Sequence, residues 1–585
     1  MKRNLLLLIV FVAVFLFDIS IYAQISENIW FDGLSRSYFA RDAIDKSTTD
    51  DTISARNTSN GYNLLDLNIH VNPIKDIEIF SQLRIRNSFG GFFGSGTEIN
   101  VRQLKARGII NEKIRFSVGD LFLKQSKFTL YNYEEELSGF ENDMLKPYRD
   151  IIHYENFYTE NRWRLQGIQT DFSFEFDRFI RNLGFDFFIT RPRGSSQINE
   201  TTYMSDLLLS GGSIVSDINK RLTISTNYIN LFEVASSGTN NISVRNPVYD
   251  MSLLHHFAND KYRIEQKLQS GFSERYWLHS ELENGISDSI SNDIKGMYFQ
   301  FDNKYIKEDS TLSLTLGYRY VDPNFRSAGA QTRRLDYTAA NSNTIYPIYS
   351  NMSLIRPPSV FDLVTDEQLY NQDLSSTLMV FNPIYSNILP YGDATPNRTG
   401  IYLKAKINDR NKVFLSKINA GFFKEVIGQG ASEKRNFGLL KGTFKINFHR
   451  CLDWEKELSL ASSSERELTK RDGEDISSVN LFSHQTNVSV NAELIKRFFV
   501  QASYKHFSAD GNEFLTERDN YGNITYFTST QIDQKDHMLS CGILYKFRKN
   551  VYANINYNWW GSKFTDQPYP DYKYNRLIFI LSVEL

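Results

Sequence analysis

Cationic side chains set two or four residues apart are the groups in this 585-residue chain best placed to act on another molecule: Arg84 and Arg86, Lys404 and Lys406, Lys441 and Lys445, with Arg319 and the adjacent Arg333 and Arg334. In an extended chain, residues two apart point the same way, so each set offers its charge to one face. Rows of ammonium and guanidinium groups around an aqueous path set the electrostatic barrier in favour of anions or sugar acids, and make or break no bonds. The competing expectation is that these cations pair with one another and with loop carboxylates, and only fill space.

Residue types that would support catalysis are not spaced for it. His255 and His256 are neighbours on one expected strand and face opposite ways, while His449 and Cys451 fall in a short turn. HExxH, paired CxxC, GxSxG and GxxxxGKS/T do not occur. The glycine-rich run from Ser88 to Gly96 has no helix after it, so it reads as a mobile loop rather than a phosphate cradle. Cys451 sits at a short connection and Cys541 in mid-strand, depths that do not favour a disulfide. No enzymatic activity, cofactor or metal is expected.

What must position the cations is a set of strands. Leu65-Asp66-Leu67-Asn68-Ile69-His70-Val71-Asn72 puts every aliphatic on one side and the polar groups on the other. Leu312 to Tyr320 and Val551 to Trp559 repeat the pattern. Alternation and turn residues together place about 22 strands, within a range of roughly 18 to 22, near 29–40, 61–72, 77–87, 98–110, 114–124, 163–175, 183–191, 203–215, 221–231, 248–258, 262–272, 294–306, 311–321, 399–407, 413–425, 436–448, 455–463, 478–494, 498–508, 535–547, 551–561 and 574–585. Most are long enough to cross a bilayer when tilted. Connections alternate between short (73–76, 111–113, 258–261, 307–310, 408–411, 548–550) and long (41–60, 125–162, 232–247, 273–293, 322–398, 509–534). An aromatic content of 14%, with 33 Tyr and 44 Phe against 13 Pro, suits many strands. A mean hydropathy of −0.40 and no apolar run of membrane-helix length exclude helical spans. The net charge of −2 gives no bulk attraction to nucleic acid.

The N-terminus has a basic Met1-Lys2-Arg3, an apolar stretch from Leu5 to Phe17 and a small Ala23 before Gln24. This is expected to be a cleaved signal peptide over 1–23, followed by a single barrel domain over 24–585. Strands begin too soon after Gln24 to leave room for an N-terminal plug domain. The last strand carries Phe579, Leu581, Val583 and the final Leu585 at alternate positions. In this it resembles the Gram-negative outer-membrane β-barrel superfamily, whose closing strand ends in an apolar residue with apolar residues alternating before it, although Leu585 stands where Phe is more usual. That resemblance implies a transmembrane up-and-down antiparallel barrel in the outer membrane, with short turns periplasmic, long loops extracellular, and lipid and lipopolysaccharide as its surroundings. A secreted multi-domain β-sandwich would share the alternation but not the alternating connections.

By parity the inward set holds Asp66, Asn68 and His70, then Gln82, Arg84 and Arg86, Thr315 and Arg319, Lys404 and Lys406, Lys441, Thr443 and Lys445, Ser503 and Lys505, and Asn554, Asn556 and Asn558. Bases are expected to outnumber acids there. A barrel of this size left empty would leak, so the lumen should be filled by loops 125–162 and 322–398, one or both folding in as a constriction. Many strands, no plug and inward-folding loops are also similar to porins, including the alginate-export type. The likeness implies a passive channel for small polar solutes, anionic or carbohydrate. The alternative is a barrel serving as scaffold or partner in secretion, adhesion or surface assembly, its extracellular loops binding other proteins.

Overall fold

The computed structural model describes residues 28–46, 56–90, 96–133, 143–177, 179–197, 203–234, 241–283, 286–332, 374, 378, 381–474, 477–518, 524–565 and 571–585. The expected signal peptide, the tip of the glycine-rich run, and Arg333 and Arg334 lie outside them. Lipid supplies no hydrogen-bond partner, so a sheet that crosses it must leave no edge. The chain meets this demand with one 22-stranded antiparallel sheet. Each strand pairs with the next in sequence, and the first, Ile29–Lys46, closes on the last, Tyr572–Glu584, from Leu34 opposite Glu584 to Lys46 opposite Tyr572. Among the described residues, helix is confined to Lys146–Glu155 and the single turn Phe448–Cys451.

Side-chain distribution inverts that of a soluble domain. Ile99, Val101, Ile168, Phe272, Met297, Leu316, Ile401, Phe422 and Leu539 are exposed on the outer wall, while Asp66, Gln82, Lys505 and Asn554 are buried inside. A cation at the lipid midplane costs about 2–4 kcal/mol, which enforces this parity strand by strand. Asn554, Asn556 and Asn558 form an inward ladder in which the side-chain amides of Asn556 and Asn558 donate to the side-chain oxygens of Asn554 and Asn556, at 2.8 and 2.9 Å. Parity breaks at Arg102, where a bulge shifts the register between Gln82 and Leu83. Ile99 and Val101 face outward before the bulge and Leu104 after it, which turns Arg102 into the lumen, where it donates to the Tyr154 carbonyl.

The expected strands all occur, but several run further toward the long-loop rim. The segments 273–293 and 509–534, expected as loops, instead continue the hairpins Tyr262–Glu283 with Ile286–Lys307 and Phe498–Arg518 with Ile524–Arg548. Much of 41–60 and 232–247 is strand as well. The reason is physical: above the lipid a ribbon needs no apolar face, so polar sequences such as Ser287 to Asp293 still pair. The strand expected from 203 begins at Leu207, and Tyr203–Met204 pairs instead with Ser196–Gln197. The strand expected over 455–463 is Leu458–Arg471. Cys451 and Cys541 are both free.

Candidate functional site: a lumen divided by two folded-in loops

Both long connections enter the barrel. In the first, Pro147 opens the helix Lys146–Glu155, which buries Tyr148, Ile151 and Ile152 against Tyr38, Leu64, Ile578 and Ile580 of the wall. Its C-terminal end carries polar groups into the same wall. Glu155 pairs with Arg84 and, at 3.4 Å, with Arg36. Asp66 accepts from the Tyr154 hydroxyl and pairs with Arg84 at 2.7 Å. Every charge in this group is matched, as burial requires.

In the second connection, residues 322–332 and 381–398 pack with 125–133. The Tyr131 amide donates to the Gly329 carbonyl at 2.8 Å, and the Trp163 indole donates to the same oxygen at 2.8 Å. Phe128 stacks on Tyr298 at 3.8 Å between ring centres, inside an apolar cluster that also takes Leu209, Ile229, Val321 and Phe325. The two loops are then tied by Asp393. It pairs with Lys127 at 2.8 Å and with Arg319 of the wall at 3.0 Å, and its amide donates to the Tyr133 hydroxyl at 2.7 Å. Burial alone would raise the Asp393 carboxyl, but the Arg319 and Lys127 cations overcome it and hold it well below the ordinary carboxylate range. Next to it Gly392 has φ of +83°, and a Cβ there would lie 2.2 Å from the Tyr133 ring, so only glycine lets the loops approach this closely.

Residues 386–396 form a partition between two cavities. On the side of the short turns is an inner cavity of about 530 Å³, lined by Lys404, Lys406, Lys417 and Lys441 of the wall, by Arg149 and His153 of the helix, and by Ile388, Gly392 and Asp393 of the partition. On the other side, a cavity of about 400 Å³ is lined by Phe381, Tyr391, Phe514 and Phe527, with Arg326 and Arg435. Pro390, Tyr391, Thr395 and Pro396 of the partition face this outer space. The partition is pinned at its start, where the Asn387 amide donates to Glu467 at 2.9 Å and its side chain to Glu513 at 2.6 Å. Arg398 closes its end by donating to the carbonyls of Asn387 and Ile388 at 3.0 and 2.9 Å. A wider vestibule of about 1220 Å³ opens at the short-turn rim beside Lys75, Asp76, Lys113 and Asp186.

The cations singled out by sequence therefore divide. Lys404, Lys406 and Lys441 come together on the inner cavity, where Lys406 stands directly opposite Lys417 and Lys441 also pairs with Glu465 at 2.6 Å. Lys445 turns to Asp143 of the first loop. Arg84 and Arg319 are held in the ion pairs above, and Arg86 lies over the Tyr62 ring at 4.1 Å. Carboxylates stand among these cations: Asp42, Asp250, Glu465, Glu467, Glu513 and Asp536 are also buried, as are Arg275, Arg398, Arg435, Arg471, Lys505 and Arg576, and Asp143, Glu155 and Asp393 come from the loops. Sequence missed Lys417, because Phe414-Leu415-Ser416-Lys417-Ile418 does not alternate cleanly. The spacing of Phe414, Ile418 and Phe422, all exposed, would have assigned the outer face. Arg149, His153 and Asp393 carried no pattern of their own. Among the described residues, no group of three His, Cys, Asp or Glu is placed to hold a metal.

No family model and no curated protein matches the chain. Among solved structures it is similar to Pseudomonas aeruginosa OpdQ, with 11% identity over 95% of this chain and 98% of that one and a TM-score of 0.31. It is similar also to Acinetobacter baumannii OccAB4, with 9% identity over 95% and 98% and a TM-score of 0.28. A third is the translocation pore of the P pilus usher PapC, with 8% identity over 94% and 100% and a TM-score of 0.28. Likenesses of this size say nothing about what the lumen carries. In architecture the chain is a closed, up-and-down antiparallel β-barrel of 22 strands with an apolar outer wall.

Proposed function

We propose that the protein is an outer-membrane channel for passive passage of small polar solutes, with the long-loop rim facing outward and a preference for anionic or acidic sugar solutes. The observation that carries this reading is the pair of cavities stacked along the lumen and separated, among the described residues, by 386–396. Solute would meet aromatic faces and guanidinium groups in the outer space, then the partition, then the Lys404, Lys406, Lys417 and Lys441 cluster. Arg149, Arg319, Lys404, Lys406, Lys417 and Lys441 line the inner cavity against the carboxylates Asp393 and Glu467, a balance of charge that favours an anion there. Planar-bilayer recordings test the reading: the wild-type protein gives small steps, and removal of 386–396 enlarges them. Unchanged steps after that deletion count against a gate at this position.

One observation favours a second reading. The hairpins Tyr262–Lys307 and Phe498–Arg548 stand above the other strands at the long-loop rim and offer polar ribbons to another protein, as a scaffold in secretion, adhesion or surface assembly would. Silent bilayers for both the wild type and the deletion, together with co-purifying proteins, favour this role.

A further inference from the structure

The outer wall carries a cluster of cations and histidines beside its apolar belt. On the strands Leu458–Arg471, Val479–Ile495, Phe498–Arg518, Ile524–Arg548 and Val551–Phe564, the outward positions run through Val488, Tyr504, Leu539 and Trp559 in one cross-strand row. The next row toward the long-loop rim is Thr486, His506, His537 and Gly561, and continues to Lys573. The row beyond is Arg466, His484, Ser508, Lys535 and Lys563. Over two adjacent cross-strand rows on five strands, the belt therefore gives way to six cationic or titratable side chains.

Nothing inside the protein explains this arrangement. Lys535 and Lys563 stand directly opposite each other, an unfavourable pairing on a sheet. The Lys535 side chain is 56% exposed and reaches Asp533 only at 3.8 Å. His506 and His537 stack at 6.1 Å between ring centres, and His484 touches Thr486 at 2.7 Å. The acids nearest in register, Asp510 and Asp533, face each other one row further from the belt and bound the patch on that side. Five strands at about 4.8 Å spacing span about 19 Å, the width of a head group that bears more than one phosphate.

We infer that this patch, formed by Arg466, His484, His506, Lys535, His537 and Lys563, binds the phosphorylated head group of an anionic glycolipid in the leaflet at the long-loop rim. The inference rests on the membrane placement proposed above. The occupant follows from charge and continuity: the cations border the apolar row of Val488, Tyr504, Leu539 and Trp559, so a ligand that reaches them from the belt has acyl chains below and an anionic head above. A soluble anion would gain nothing from the row of Tyr504, Leu539 and Trp559 beneath.

Native mass spectrometry of the full-length protein in detergent, titrated with diphosphoryl lipid A, monophosphoryl lipid A and phosphatidylethanolamine, tests it. Wild type should bind in the order diphosphoryl, monophosphoryl, zwitterionic lipid. The variant H506Q/K535Q/H537Q/K563Q should bind the diphosphoryl lipid about 25-fold more weakly, at about fivefold per lysine, and K535R/K563R should retain binding. Equal binding by wild type and the glutamine variant, equal binding of the zwitterionic lipid, or full displacement by inorganic phosphate overturns the inference. Failure of wild type to float with vesicles overturns the membrane placement instead. Conductance should not differ between these variants, so the channel reading is tested separately.

Discussion

Two walls of one lumen carry similar cations to opposite ends. On the wall of Ile29–Lys46, Arg56–Ile74 and Ile77–Ser88, the inward Arg36 and Arg84 are met by Asp66 and by Glu155 of the helix. On the wall of Arg398–Asn408, Phe414–Lys424 and Asn436–Asn447, the lysines Lys404, Lys406 and Lys441 line the inner cavity, and Lys441 also pairs with Glu465 of the neighbouring strand. The difference lies in what the loops bring: a helix with a carboxylate at its end closes the first wall, whereas the partition leaves a cavity before the second. Charge on a barrel's inner face is thus structural or functional according to the loop above it, not according to the strand that bears it.

The largest expected effect breaks the first wall. Arg84→Met strands the buried Asp66 and Glu155 carboxylates without their main partner, which costs about 3–5 kcal/mol; the urea midpoint of unfolding should fall accordingly. Lys406→Met should shift stability by less than about 0.5 kcal/mol, and equal losses for the two would erase the contrast between the walls.

Next comes the tie between the loops. Asp393→Asn removes the carboxylate that Lys127 and Arg319 share, and single-channel steps should become severalfold larger. The Asp393 pKa is depressed in the folded state, so its contribution is complete above the ordinary carboxylate value of about 4 and is lost only as pH falls through the lower folded value. Wild-type conductance should therefore stay level from neutral pH to about 5 and rise only well below about 4. A rise centred near pH 6 would count against Asp393 as the tie.

Selectivity separates the walls at smaller cost. Lys404→Glu with Lys406→Glu should move the reversal potential in a salt gradient toward cation preference. Arg319→Gln tests a cation already bound by Asp393 and should act through gating instead. The smallest effect is at Arg86, whose stacking on Tyr62 is worth about 0.5–1 kcal/mol; Arg86→Gln should lower stability by that amount in the same urea titration and leave the reversal potential in place.

Much of this molecule could be read from its residues, and the rest resisted for definite reasons. Strand number, order and facing follow from period-two alternation, because lipid on one side and water on the other punish every slip; the Asn554, Asn556 and Asn558 ladder is plain from sequence. Strand ends above the lipid were not legible, since Ser287 to Asp293 obey no apolar rule there. Neither was the division between Arg84 and Lys404, which have the same local pattern. It is decided by Glu155 and Asp393, far away in sequence and brought in by loops whose fold leaves no periodic trace. The bulge at Arg102 likewise shifts parity by one residue that composition does not announce.

The seam between Ile29–Lys46 and Tyr572–Glu584 bears on how the molecule comes into being. Asp42 accepts from the Arg576 guanidinium and the Tyr574 hydroxyl, each at 2.7 Å, and binds residues more than five hundred positions apart. Until that zip is done up, the sheet has two raw flanks able to recruit strands from other chains. Closure of so distant a contact is slow, so escort during delivery and a surface that shields the open flanks are demands written into the circular shape itself.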